Sequence, residues 1–227
     1  RRSDGVVYPR IGAKECLEMA RDSEHYKSAL TGPNQGRGVA LGYWFNIGFK
    51  SAVTASVNTD GTVQLVEGST DIGGTRTSIA MQFAETLGLA AEDINPSVGD
   101  TSSIGYTDVT GGSRVTYATG WDAYGAAQDV KAQMIKRAAL VWEVDAAQVE
   151  YDDGSFRTKD GGKSIGFKEL AGKIDATGGP VVGQGSVDPE AGVGGSFSVN
   201  IADIEVDPET GKVRILRFTA VQDAGKA

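Results

Sequence analysis

Apolar positions recur along the chain with periods that change from segment to segment, and the changes mark out the elements. Over residues 13–30, Cys16, Leu17, Ala20 and Tyr26 fall at roughly helical spacing, and Thr31-Gly32-Pro33-Asn34-Gln35-Gly36 stops the run. A helix on a flexible lead is expected there, with Cys16 as a core thiol on its apolar face and His25 on its polar flank. An apolar and aromatic run over 39–46 reads as a strand. Ala52-Val53-Thr54-Ala55-Ser56-Val57 and Val63-Gln64-Leu65-Val66 then flank Asn58-Thr59-Asp60-Gly61, the pattern of a hairpin closed by an Asp-Gly turn. A second hairpin is expected where 201–206 and 213–218 flank Asp207-Pro208-Glu209-Thr210-Gly211.

Two helices stand out between the hairpins. Residues 77–87 carry Ile79, Phe83 and Leu87 four apart, and 115–144 carry Ala118, Ala123, Ala126, Ala127, Val130 and Met134, small enough along one side to lie tightly on a neighbouring element. A short strand is expected at 94–98, and after Val149 the text turns loop-rich around a short helix at 166–174. The predicted fold class is α+β, mixed sheets with helices packed on them and strands grouped at both ends, with residues 1–35 as a lead and helix and 36–227 as one domain.

Composition narrows the chemistry. With 22 Lys and Arg against 30 Asp and Glu in 227 residues, the net charge of −8 opposes binding to nucleic acid. One cysteine and one histidine exclude an internal disulfide and a zinc site of the Cys₂His₂ or Cys₄ kind, and no metal ligands are nominated. No apolar stretch approaches a membrane span and no secretory signal follows Arg1, so a cytoplasmic, reducing setting is expected, without a membrane partner. The start without methionine and the stop after a strand-like run suggest an internal piece of a longer chain, cut at its C-terminal end.

Two glycine-containing segments lead into the two helices. Glu67-Gly68-Ser69-Thr70-Asp71-Ile72-Gly73-Gly74-Thr75-Arg76-Thr77 joins a strand to a helix, so uncovered backbone N–H groups and the helix dipole would favour an anion there. The same residues equally make a tight turn capped by Thr75 or Thr77. Asp108-Val109-Thr110-Gly111-Gly112-Ser113-Arg114 has the same form, with Ser113 as the expected cap and Arg114 as a fixed cation, and it too reads either as an anion grip or as an ordinary glycine-rich helix start. No P-loop is present, and Gly192-Val193-Gly194-Gly195 lacks the following helix that a dinucleotide fingerprint needs.

The order of four pieces resembles the molybdopterin-binding large subunit of the molybdenum hydroxylases, the xanthine dehydrogenase, aldehyde oxidase and aerobic carbon monoxide dehydrogenase family. They are Gly36-Arg37-Gly38-Val39-Ala40; Asp60-Gly61-Thr62-Val63 through Thr77; Gly99-Asp100-Thr101 through Arg114-Val115-Thr116; and Glu205-Val206-Asp207-Pro208 through Gly211 to Asp223-Ala224-Gly225. The resemblance implies molybdopterin or molybdopterin cytosine dinucleotide with molybdenum as cofactor. It also implies contacts from Ile72, Gly73, Gly74 and Thr75 and from Gly112, Ser113, Arg114 and Val115, with Gly112 near the metal. Where many relatives have Gly-Gln-Gly, this chain has Gly73-Gly74-Thr75, so the amide side chain is missing and contact at Gly74 is reduced to backbone.

The resemblance implies oxidation of an aldehyde, an N-heterocycle or a similar small carbon centre, with oxygen from water and electrons passed to iron-sulfur and flavin subunits or domains. The family's general base is a glutamate in a glycine-rich segment further along than Ala227, so no catalytic residue is nominated and the isolated chain is expected to be inactive. The remainder of the large subunit is the expected partner. A scaffold or assembly module of the same fold that no longer binds cofactor is the alternative, and an unrelated phosphate-ligand domain is a third reading.

Overall fold

A computed structural model describes residues 5, 7, 11–100, 102–189 and 195–225. Arg1 to Asp4, Thr101, Gly192-Val193-Gly194 and the last two residues, which entered the sequence reading, lie outside the described residues. The chain divides into two compact units, Arg1–Asn46 with Gly192–Ala227, and Ile47–Ala191.

The first unit holds helices α1 (Ala13–Asp22) and α2 (Glu24–Lys27) and strands β1 (Gln35–Trp44), β9 (Ser196–Val206) and β10 (Val213–Asp223). The strands form an antiparallel sheet in the order β1-β9-β10, with Gln35 opposite Glu205 and Trp44 opposite Ser196. The expected second hairpin is β9–β10. Its turn is fixed by Asp207, whose carboxylate accepts from the Glu209 amide at 2.9 Å and the Thr210 hydroxyl at 2.7 Å, and by Gly211 at φ +70°. Cys16 and Ala20 of α1 pack on Val199 and Ile201, as the core thiol reading requires.

His25 corrects its expected place on a polar flank, for it is 1% exposed. Its Nδ1 lies 2.8 Å from Thr219 Oγ1 and its Nε2 3.0 Å from Asp203 Oδ2. Arg37 completes the cluster, donating to both oxygens of Asp203 at 2.7 and 2.8 Å and to the carbonyls of Tyr26 and Ser28. The Arg37 hydrogen bond, ahead of His25, holds the Asp203 carboxyl down at about 2.

The second unit is built on a mixed sheet of β2 (Val53–Val57), β3 (Val63–Glu67), β4 (Ile94–Val98) and β8 (Val181–Gly185), in the order β4-β3-β2-β8. Strict alternation of buried and partly buried positions in β2 and β3 is the expected hairpin, closed at Gly61 with φ +85°. Helix α3 (Thr75–Leu87) carries the chain from β3 to the parallel strand β4. The long helix α4 (Val115–Trp142) lies directly on β8. A Cβ on Gly185 would come within 1.8 Å of the Asp122 carbonyl oxygen, and one on Gly183 within 2.5 Å of that of Ala126. The alanines of α4 and the glycines of β8 are two halves of one close approach.

The turn-rich reading after Val149 misses strands. Residues there form a three-stranded antiparallel sheet of β5 (Val149–Asp152), β6 (Ser155–Thr158) and β7 (Ser164–Gly166), followed by α5 (Phe167–Ala171), and β8 was not expected at all. The strands are therefore spread through the chain rather than grouped at its ends, although the class, α+β with mixed sheets and helices on them, stands as expected.

Candidate functional site

Both glycine-containing segments belong to the second unit, and β3 and α4 bring them together. The first leaves the end of β3 and enters α3; the second enters α4. They line one cavity of about 350 Å³, Ile72 and Thr75 from the first and Thr110, Gly111, Ser113, Val115 and Thr116, with Arg114, from the second. Five of the eight residues nominated from sequence, Ile72, Thr75, Ser113, Arg114 and Val115, are thus in its wall. Gly73, Gly74 and Gly112 are not. Thr110, Gly111 and Thr116 are the additions, and only their position beside the nominated residues could have signalled them.

The first loop is less open than its glycines suggest. Gly74, at φ +101°, occupies the N-cap position of α3 without a side chain to offer. Asp71 covers the helix start instead, its Oδ1 accepting from the amides of Gly74 at 3.0 Å and Arg76 at 3.3 Å, while Thr75 Oγ1 accepts from the amide of Ile72 at 3.0 Å. These amide donors, Arg76 first, hold the Asp71 carboxyl below its usual range. Among the described residues, the Gly73 and Thr75 amides have no hydrogen-bond acceptor.

The second loop differs from expectation at its cap. Ser113 sits in the left-handed region at φ +54°, and Arg114 holds the N-cap position of α4 with no side-chain cap bond. Gly112, at φ +62°, turns against Ile47, where a Cβ would lie 2.4 Å from Ile47 Cδ1, and its carbonyl accepts from the Ile47 amide at 2.9 Å. Only glycine fits there. The Val115 and Thr116 amides at the start of α4 have no acceptor among the described residues, which leaves an anion-favouring helix end facing the cavity wall.

Arg114 is fully buried, and its guanidinium points to carbonyls. Nε donates to Gly48 at 3.2 Å, Nη1 to Asp108 at 3.2 Å, and Nη2 to Lys50 at 2.8 Å and to the Ser51 hydroxyl. Burial pushes its pKa down, against the pull of Asp108 and Asp122. Beside it lies a buried polar cluster of Ser51, Ser69, Thr119 and Asp122, with Glu67 at the end of β3; Glu67 and Ser69 stand in the first segment singled out from sequence, whereas Ser51, Thr119 and Asp122 gave no signal. Burial raises both acids to about 7. Asp122 accepts from the Val187 amide at 2.5 Å and is eased by the Ser51 hydroxyl, whereas neither Glu67 oxygen has a partner among the described residues.

A cavity walled, among the described residues, by two helix starts, unpaired amides and small side chains with no carboxylate suits an anionic group. Residues 13–227 match the family model of the molybdopterin cofactor-binding domain. The chain belongs to that family. It is 30% identical over 224 residues to the gamma subunit of the 6-hydroxypseudooxynicotine dehydrogenase complex of Paenarthrobacter nicotinovorans, covering 93% of this chain and 28% of that one. It is 27% identical to the aldehyde oxidoreductase molybdenum-binding subunit PaoC of Escherichia coli K12, covering 93% of this chain and 29% of the relative. Among solved structures, Cu,Mo-CO dehydrogenase in its carbon monoxide reduced state superimposes with a TM-score of 0.72 at 25% identity, over 92% of this chain and 28% of that one. This molybdopterin cofactor-binding domain therefore spans under a third of the length of such relatives.

The residues present fit the cofactor. A phosphate-bearing pterin that carries its own sulfur ligands needs backbone donors and room. Gly111 supplies room directly, since a Cβ there would meet nothing within 4 Å. Among the described residues no three His, Cys, Asp or Glu side chains cluster as a metal site, and no helix is long and apolar enough to cross a membrane.

Proposed function

We propose that these residues are the cofactor-binding part of a molybdenum hydroxylase that oxidises an aldehyde, an N-heterocycle or a similar small carbon centre, taking oxygen from water. The convergence of the Ile72–Thr75 and Gly112–Val115 segments on one cavity, without a carboxylate among its described lining residues, carries the reading. In it, the amides of Gly73 and Thr75 and those of Val115 and Thr116 bind the anionic parts of the cofactor, Gly111 leaves space for its approach, and Ile72 and Val115 exclude water from one side. Arg114 holds the second segment in shape and does not touch the cofactor with its guanidinium. When bound, the cofactor supplies a redox-active molybdenum. Iron-sulfur and flavin partners would take up the electrons and the rest of the large subunit would supply the general base, so these residues alone would not turn over.

Relatives named as an aldehyde oxidoreductase subunit and as a carbon monoxide dehydrogenase large chain support oxidation of a small carbon substrate. One observation favours the scaffold alternative: Asp71 already places a negative charge at the start of α3, and Gly74 offers no amide side chain. Molybdenum and phosphorus analysis of the full-length protein from cells that make molybdopterin separates the two. Near-stoichiometric molybdenum is expected; cofactor-free protein from such cells means a scaffold.

A further inference from the structure

We propose that the buried hydroxyl triangle of Ser51, Ser69 and Thr119 couples the two segments of the cofactor cavity, with Thr119 as a positioning residue for the first segment; the proposal rests on the reading that both segments hold the cofactor. Thr119 Oγ1 lies 2.7 Å from Ser69 Oγ and 2.9 Å from Ser51 Oγ, and the two serine oxygens are 3.3 Å apart. All three residues are at most 1% exposed. Each comes from a different place. Ser69 is at the root of the first segment, just before Thr70 and Asp71; Thr119 stands one turn into α4, above the second segment; Ser51 precedes β2 and accepts from Arg114, which fixes the start of α4.

The Arg114 donors fix how one corner of the triangle is used. Arg114 has only donors, so Ser51 must accept from it and direct its own proton to another oxygen. Ser51 has Thr119 and the Asp122 carboxyl as acceptors for its proton, and through the undirected Ser51–Thr119 and Thr119–Ser69 contacts an unbroken run of hydrogen-bonded oxygens joins the Arg114 cation to the root of the first segment. Apolar packing would fill this volume as well. Hydroxyls add a fixed register between Ser69 and α4, and with it a fixed separation between the amides of Gly73 and Thr75 and those of Val115 and Thr116.

The test is amide hydrogen exchange on the full-length protein purified from cells unable to make molybdopterin, so that the readout does not depend on cofactor. The Ile72, Gly74 and Arg76 amides report on the first segment, because they are bonded within it to Thr75 and Asp71 and do not touch Thr119. Thr119→Val keeps the shape and removes the hydroxyl, and it should speed exchange at these three amides about tenfold, the loss of one buried hydrogen bond, while Val53–Val57 of β2 exchange as before. Thr119→Ser should restore the slow rates. Ser69→Ala removes the same contact from the other side and should repeat the effect if Thr119→Val folds poorly. Unchanged exchange at the three amides, a rise shared equally by β2, or failure of Thr119→Ser to restore them would overturn the coupling. A wild-type protein without molybdenum, from cells that make the cofactor, would overturn the cofactor reading and leave the exchange result standing.

Discussion

The two units solve the same problem, a buried carboxylate, in opposite ways. Asp203 in the first unit is matched on both oxygens by Arg37, with His25 beside it, and its pKa falls to about 2. Glu67 and Asp122 in the second unit lie under the cavity segments, keep three oxygens between them without partners among the described residues, and rise to about 7. Pairing of both Asp203 oxygens with Arg37, which also holds the Tyr26 and Ser28 carbonyls, secures α2 against its sheet. Incomplete pairing is costly, and its location at the end of the sheet where both helices start ties the cost to the site. The cation buried there, Arg114, is committed to the carbonyls of Gly48, Lys50 and Asp108, and Arg76 draws only partly against the rise at Glu67.

That contrast can be broken by substitution, and the largest effect belongs to Arg114. Arg114→Met leaves three carbonyls and the Ser51 hydroxyl without their donor in a dry interior, so a loss of about 3–5 kcal/mol in denaturant unfolding is expected. A stable Arg114→Met protein that loses only cofactor would instead make the guanidinium a direct ligand. Next comes Asp203→Asn. The folded pKa of Asp203 is depressed, so its contribution is present above the ordinary value of 3.8 and is lost as pH falls toward about 2. The substitution should lower the melting temperature at pH 7 and flatten the acid limb of the stability curve between about pH 4 and 2. An unaltered acid limb would mean that other carboxylates set it.

Glu67→Gln should act in the other direction and more weakly. The folded pKa of Glu67 is raised, so the folded state binds the proton more tightly; the penalty for charging it is absent below about 4.5, grows as pH rises to about 7 and is complete above that. Glutamine keeps the shape without the charge. A gain of about 1–2 kcal/mol at pH 8 is expected, allowing for partial relaxation around the charged group, with little change at pH 4. A loss of stability at both pH values would show that Glu67 has a donor partner.

Local pattern made much of this fold legible. Alternation in Val53–Val57 and Val63–Glu67 around Gly61, the four-residue spacing of Ile79, Phe83 and Leu87, and the alanine side of α4 each dictate an element by themselves. β8 was missed because Gly183 and Gly185 weaken its strand pattern, and they are glycines because α4 lies against them. β5, β6 and β7 are three or four residues long, too short for a period to emerge. The two glycine-containing segments were legible from order and spacing. The roles of His25 and Arg114 were not, because their partners are far away in sequence: Thr219 lies 194 residues from His25, and Gly48 66 residues from Arg114.

Gly111 gives the most direct test of the cavity as the cofactor site. A Cβ there meets nothing within 4 Å, and the backbone does not need the left-handed conformation that Gly73, Gly74 and Gly112 adopt. Gly111→Phe should therefore fill the cavity while leaving the melting temperature within a few degrees of wild type. Molybdenum and pterin content of wild type and Gly111→Phe, measured on full-length protein from cells that make molybdopterin, should differ by about tenfold or more, corresponding to at least about 1.4 kcal/mol of binding. Equal cofactor content in a folded Gly111→Phe protein would contradict the assignment of this cavity.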